Sequence, residues 1–212
     1  YQRIVPIGIA DCITELSAGV IVFAFNHQIL SIIGTSGVVS YTVMTYVYNL
    51  VLMAFVGIAQ GCQPLVSYAV GQQDSKTIKL VYRYGLTAVA LTSVLCFGGC
   101  WIFTPQIVSV FIRPQETALF GSTVAAFRLY SFCFLIMGYN VLTSGFFVAL
   151  AKPKAALTLS LARGIVVILV CLLAMSSAFG ALGIWLTPTV SEGLCLILSF
   201  ILLIKAKSWA AA

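Results

Sequence analysis

Between Glu15 and Asp74 the chain carries no Asp, Glu, Lys or Arg. Apolar runs recur to the C-terminus, and they constrain the fold more than any other feature. A soluble domain places roughly a quarter of its residues as charges on a wetted surface. Here 8% of 212 residues are charged, 61% are hydrophobic and the mean hydropathy is +1.11. Such a chain cannot cover a globule with polar atoms, so its outer surface must face lipid.

The charged residues divide the chain into segments, most of them longer than the roughly 20 residues that span a bilayer as helix. The pattern predicts an all-α polytopic membrane protein, one bundle of six transmembrane helices at about 4–33, 38–70, 76–103, 117–150, 153–175 and 181–204. Strands are excluded because the runs are long and lack the alternation of a barrel. The first segment is not a cleaved signal peptide, since its long apolar run contains Asp11 and Glu15.

Orientation follows from the basic residues. With connections numbered alternately, one side collects Arg3, Lys76, Lys79, Arg83, Lys152, Lys154, Lys205 and Lys207, and the other collects Arg113. The positive-inside rule then makes both termini cytoplasmic. The net charge of +6 reads as topology and calls for no nucleic acid. The seven cysteines lie inside apolar runs, with no carboxylate or His beside the pair Cys96 and Cys100, so they read as small buried hydrophobes and no metal is expected. One histidine, no nucleophile beside a base and no phosphate loop argue against an enzyme, and no cofactor is expected beyond a coupling ion.

Polar groups inside a membrane are costly in lipid and normally face the bundle interior or a water-filled cavity. In the second segment Asn49, Met53, Val56, Gln60, Gln63 and Ser67 step by three or four residues along one stripe. Gly57 and Gly61 suit close approach of a neighbouring helix, Pro64 is expected to kink the helix, and Gly71 to cap it. Asn49, Gln60 and Gln63 are thus candidates to line a cavity. In the first segment Asp11 and Glu15 share a face with Gly8, Gly19 and Asn26. Glu15 lies about 15 Å from the helix start, near mid-membrane. Desolvation there drives an unpaired carboxylate toward its protonated form. Both are ion-coupling candidates, the alternative being carboxylates permanently paired for assembly. Arg163 and Glu192 have comparable depth on consecutive antiparallel helices and are candidates for a structural ion pair. Arg128 is expected to snorkel to the outer interface, and His27 to be an interfacial polar residue. Tyr139, Asn140, Thr143 and Ser144 form a polar patch suited equally to substrate contact and to helix–helix hydrogen bonds.

Several stretches carry a family resemblance. "GIAQGCQPLVSYAVGQQD" resembles the helix-end motif Gln-Gly-x-Gln-Pro-Leu/Ile-x-Ser-Tyr-x-x-Gly of multidrug and toxic compound extrusion (MATE) transporters. "FRLYSFCFLIMGYNVLTSGFFVALAKPKAALTLSLARG" is similar to their tenth helix running into the eleventh, and "GIWLTPTVSEGLCLILSFILL" to their last helix. The first segment is similar to their seventh helix, whose mid-membrane glutamate falls at Glu15. The likeness covers essentially the whole chain, but only the C-terminal half of a twelve-helix transporter. It implies one of two six-helix bundles around a central cavity, alternating between inward- and outward-open states in the cell membrane. It also implies an N-terminal half as partner and export of small organic, often cationic compounds driven by Na⁺ or H⁺. The chain departs from the family at two places. The fourth segment has no intramembrane Asp, Glu116 lying only at its start, and the usual Gly before "KPK" is Ala151. Competing readings are a lipid-linked sugar flippase of the same superfamily and a non-transporting membrane scaffold.

Overall fold

The computed structural model describes residues 19–205. Asp11 and Glu15 lie outside these. The described chain is helical throughout, without a strand. In order the helices are α1 (Gly19–Ile32), α2 (Thr35–Gly71), α3 (Ser75–Ile102), α4 (Thr104–Phe111), α5 (Thr117–Ser131), α6 (Phe134–Ala149), α7 (Pro153–Leu161) and α8 (Val167–Lys205). A five-residue π-helical turn, Ala162–Val166, joins α7 to α8.

The elements refine the six expected spans. The segment 117–150 is not one straight helix: it breaks between Ser131 and Phe134 and bends by 42°. The chain beyond residue 103 adds a short helix, α4, that periodicity within long apolar runs did not isolate. The last two spans are α7 with the first part of α8 and then the rest of α8, separated at Gly180, whose φ of 56° and ψ of −131° leave helical space. Only glycine adopts that backbone readily.

The turn after α2 corrects the expected cap. Gly71 stays helical, and the left-handed position falls on Gln73, with φ 57°. There the Asp74 amide donates to the Ala69 carbonyl at 2.9 Å. Asp74 then caps α3, accepting from the Lys76 and Thr77 amides, both at 3.1 Å. Hydrogen bonds from the Thr77 hydroxyl and amide hold the Asp74 carboxyl below the ordinary carboxylate range.

Between lipid-embedded helices there is no hydrophobic drive, so packing depends on close steric fit and cross-helix hydrogen bonds of about 0.6 kcal/mol each, up to about 1.7. The fit is closest between α2 and α6. A methyl at Gly138 would meet the Phe55 ring at 2.5 Å and Val89 at 2.8 Å; one at Gly145 would meet the Gln63 amide at 3.1 Å and Ala59 at 3.3 Å. The expected roles of Gly57 and Gly61 are corrected: a methyl at either would meet nothing within 4 Å. Hydrogen bonds then tie α2 to α5 (Ser40 to Thr123, 2.7 Å), α1 to α8 (Gln28 to Ser176, 2.8 Å) and α3 to α6 (Tyr82 to Thr143, 3.1 Å).

The bundle has distinct ends. Val66 and Ala69 of α2, Ile78 of α3, Phe146 and Ala149 of α6 and Leu203 of α8 pack in one cluster. The turns bearing Lys76 and Lys79, and Lys152 and Lys154, therefore share an end with Lys205. Val43, Val108 and Ile112 pack with Leu119 and Phe120 in a separate cluster beside Arg113.

Candidate functional site

A cavity of about 570 Å³ lies among α1, α2, α5, α6, α7 and α8. One wall is aromatic. Phe25 stacks on Tyr41 with ring centres 5.1 Å apart, and Tyr48 meets Tyr130 edge-on at 6.2 Å. Thr45 and Leu52 continue the α2 side, and Gly19 and Val22 bring α1 to the rim. Tyr41, Thr45, Tyr48 and Leu52 step by four, three and four residues, so the sequence carried this stripe. It passed unread because Asn49 and the two glutamines drew attention to the adjacent face.

The opposite wall is charged. Arg163, in the π-helical turn, and Glu192, on the last part of α8, both line the cavity. The Arg163 Nε donates to Glu192 Oε1 at 2.8 Å. The Asn140 amide donates to Glu192 Oε2 at 2.7 Å and to the Glu192 carbonyl at 2.9 Å, and Asn140 Oδ1 accepts from the Ser199 hydroxyl at 2.9 Å. Both carboxylate oxygens are thus taken, and Glu192 is 5% exposed. The π turn contributes to this arrangement: the Val167 amide reaches back to the Ala162 carbonyl, inserting a residue that rotates Arg163 relative to α8. No periodicity argument reveals such an insertion.

The other sequence candidates divide. Asn49 lines the cavity and also an adjoining groove with Tyr46, Leu50 and Met53. Gln60 is exposed on the outside of the bundle, and Gln63 is half-buried beside Gly145. Of the three residues expected to face the interior or a cavity, Asn49 lines the cavity, while the buried face of α2 within this bundle is Val47, Val51, Phe55 and Ala59. Asn140 is wholly buried and is spent on Glu192, away from the cavity lining. Tyr139 is half-buried. Ser144 lines the cavity and bonds Ser160 of α7 at 3.1 Å. Arg128 lies over the Trp101 ring, 5.7 Å from its centre, rather than extending away from the helices.

Comparison with known proteins places this geometry in a family. The MatE family model matches residues 12–173. The multidrug export protein MepA of Staphylococcus haemolyticus is 22% identical over 210 residues, covering 98% of this chain and 45% of that protein. The chain thus spans about half the length of the curated relatives it matches. Among solved structures, an inward-facing multidrug resistance MATE transporter of the MOP superfamily superposes with a TM-score of 0.90 at 17% identity, covering 99% of this chain and 48% of that one. An outward-facing one gives 0.88 at 17% identity, covering 97% and 46%. On the matched family model, the chain belongs to the MatE family.

Proposed function

We propose that the chain is the C-terminal six-helix half of an ion-coupled antiporter that exports small organic, cationic or drug-like compounds by alternating access. The observation that carries this reading is the aromatic-walled cavity, about 570 Å³. Drug-sized ligands occupy cavities of about 300–1,000 Å³ lined by apolar and aromatic groups with a few fixed polar ones. A scaffold subunit would close this space, so the cavity favours transport. The near-equal superposition on inward- and outward-facing structures supports a half that moves as a unit. The basic turns gathered at one end support a multi-pass protein of the cell (inner) membrane with both ends of this segment cytoplasmic.

Coupling is assigned to Glu15, with Asp11 beside it, and the ion is H⁺ or Na⁺. Glu15 stands four residues before Gly19 in the sequence, and Gly19 lines the cavity. The test uses the full-length protein in proteoliposomes under an imposed Na⁺ or H⁺ gradient. Glu15→Gln keeps size and hydrogen bonding but neither yields a proton nor holds a cation by charge. It is expected to fold, to bind substrate and to lose gradient-driven efflux. Parent-level efflux by this variant would move coupling to the other half.

A further inference from the structure

The charged wall of the cavity is not symmetric. Both oxygens of Glu192 are occupied, one by Arg163 and one by Asn140. Arg163 meets Glu192 through Nε alone. Its two terminal nitrogens, with four N–H groups, have no partner among the described residues. The side chain is 22% exposed, and the surface it leaves open lines the cavity. The bond at Nε fixes the guanidinium plane, and Asn140, itself held by Ser199, fixes the glutamate that fixes Arg163. The terminal fork is therefore pre-oriented by a chain of three side chains, Glu192, Asn140 and Ser199, of which the last two do not line the cavity.

Such a fork matches a planar or tetrahedral oxyanion, which it can grip with two parallel hydrogen bonds. The same cavity is lined by Phe25, Tyr41, Tyr48 and Tyr130, which suit a flat or extended apolar body. Among the described lining residues no carboxylate oxygen is left to meet a cation. We propose that Arg163 is a specificity-determining residue of this cavity, binding through its terminal nitrogens the carboxylate, sulfonate or phosphate of a ligand whose apolar body lies on the tyrosine wall. This rests on reading the cavity as the substrate path. It adds acidic and zwitterionic amphiphiles to the cationic compounds assigned above. The oxyanion belongs to a free organic acid or to a phospholipid headgroup, and the test separates the two.

Full-length protein in lipid nanodiscs is titrated with three radiolabelled probes on one naphthyl body: 2-naphthoate, 2-naphthamide and 2-naphthyltrimethylammonium. The parent is expected to bind the acid about tenfold more tightly than the amide, the scale of one charge-assisted bidentate contact. Arg163→Lys keeps a cation beside Glu192 but has no fork to spare, and it should abolish that preference. The double variant Arg163→Gln, Glu192→Gln removes both charges and strands neither. It should lose the preference too, which keeps the test valid where the lysine variant does not fold. Should a phospholipid supply the oxyanion, purified parent retains bound phosphorus that naphthoate displaces and that both variants lack. An acid preference that survives both variants overturns the proposal. So does equal binding of acid and amide by a parent that retains no phosphorus. Failure here leaves the exporter reading intact wherever the ammonium probe binds and gradient-driven efflux persists; absence of efflux from the parent is what removes that reading.

Discussion

Arg163 and Glu192 are unequal partners. The Glu192 side chain is 6% exposed, whereas that of Arg163, at 22%, borders the cavity. Removing the arginine strands a buried carboxylate with only Asn140 to donate to it, at a cost of about 3–5 kcal/mol. Removing the glutamate charge leaves a guanidinium that water can reach, and a glutamine oxygen can still accept from Asn140, so about 1–2 kcal/mol is expected. Arg163→Gln should therefore lower the unfolding temperature of the purified protein well beyond Glu192→Gln. Equal effects would mean that the pair is solvated alike on both sides. A second single-residue effect sits at the end of α6. Ala151 has a φ of 53°, and the Lys152 amide closes the turn on the Phe147 carbonyl at 3.0 Å. Alanine stands here where the family pattern has glycine, and the positive φ makes it a strained residue. Ala151→Gly should stabilise by about 1 kcal/mol, read as a higher unfolding temperature, because it relieves a left-handed alanine.

At the scale of helices, the sequence was legible where long apolar runs and charge spacing decide. It was not legible where a neighbour decides. The helical class of the chain followed from its long apolar runs, and the meeting of Arg163 with Glu192 from depth and direction along antiparallel helices. The close-approach glycines did not, because any glycine in a helix looks alike until its partner is known: Gly57 and Gly61 face open space, and Gly138 and Gly145 face α2. The break at Gly180 depends on a positive φ, and the π turn on one extra residue in a helical turn, and neither leaves a hydrophobic period behind. Glycine substitutions test this division. Gly183 lies so close to the Met175 carbonyl that any side chain would collide with backbone. Gly183→Ala and Gly180→Ala should therefore fail to give a monodisperse protein in detergent, whereas Gly57→Ala and Gly61→Ala should elute as the parent does. Loss of folding in the second pair would mean that the other half presses on that face of α2.

For the whole molecule, the outward position of Gln60 carries the argument furthest. Val47, Val51, Phe55 and Ala59 pack inside the bundle, which leaves Asn49 and Gln60 on its surface. An amide facing hydrocarbon has no partner and costs several kcal/mol, about 1–3 even on protein-derived scales. The α3 surface differs: Leu91, Val94 and Leu95 are exposed and wholly apolar, as lipid requires. If the chain is half of a transporter, as proposed above, the polar stripe of α2 is where water and the other half would meet it. The full-length protein, with its native cysteines replaced, then gives a direct measurement. Gln60→Cys should react with a membrane-impermeant maleimide many times faster than Leu95→Cys, and bound substrate should slow it. Equally slow labelling of the two positions would put the stripe in lipid, and the central cleft would then have to be built from other helices.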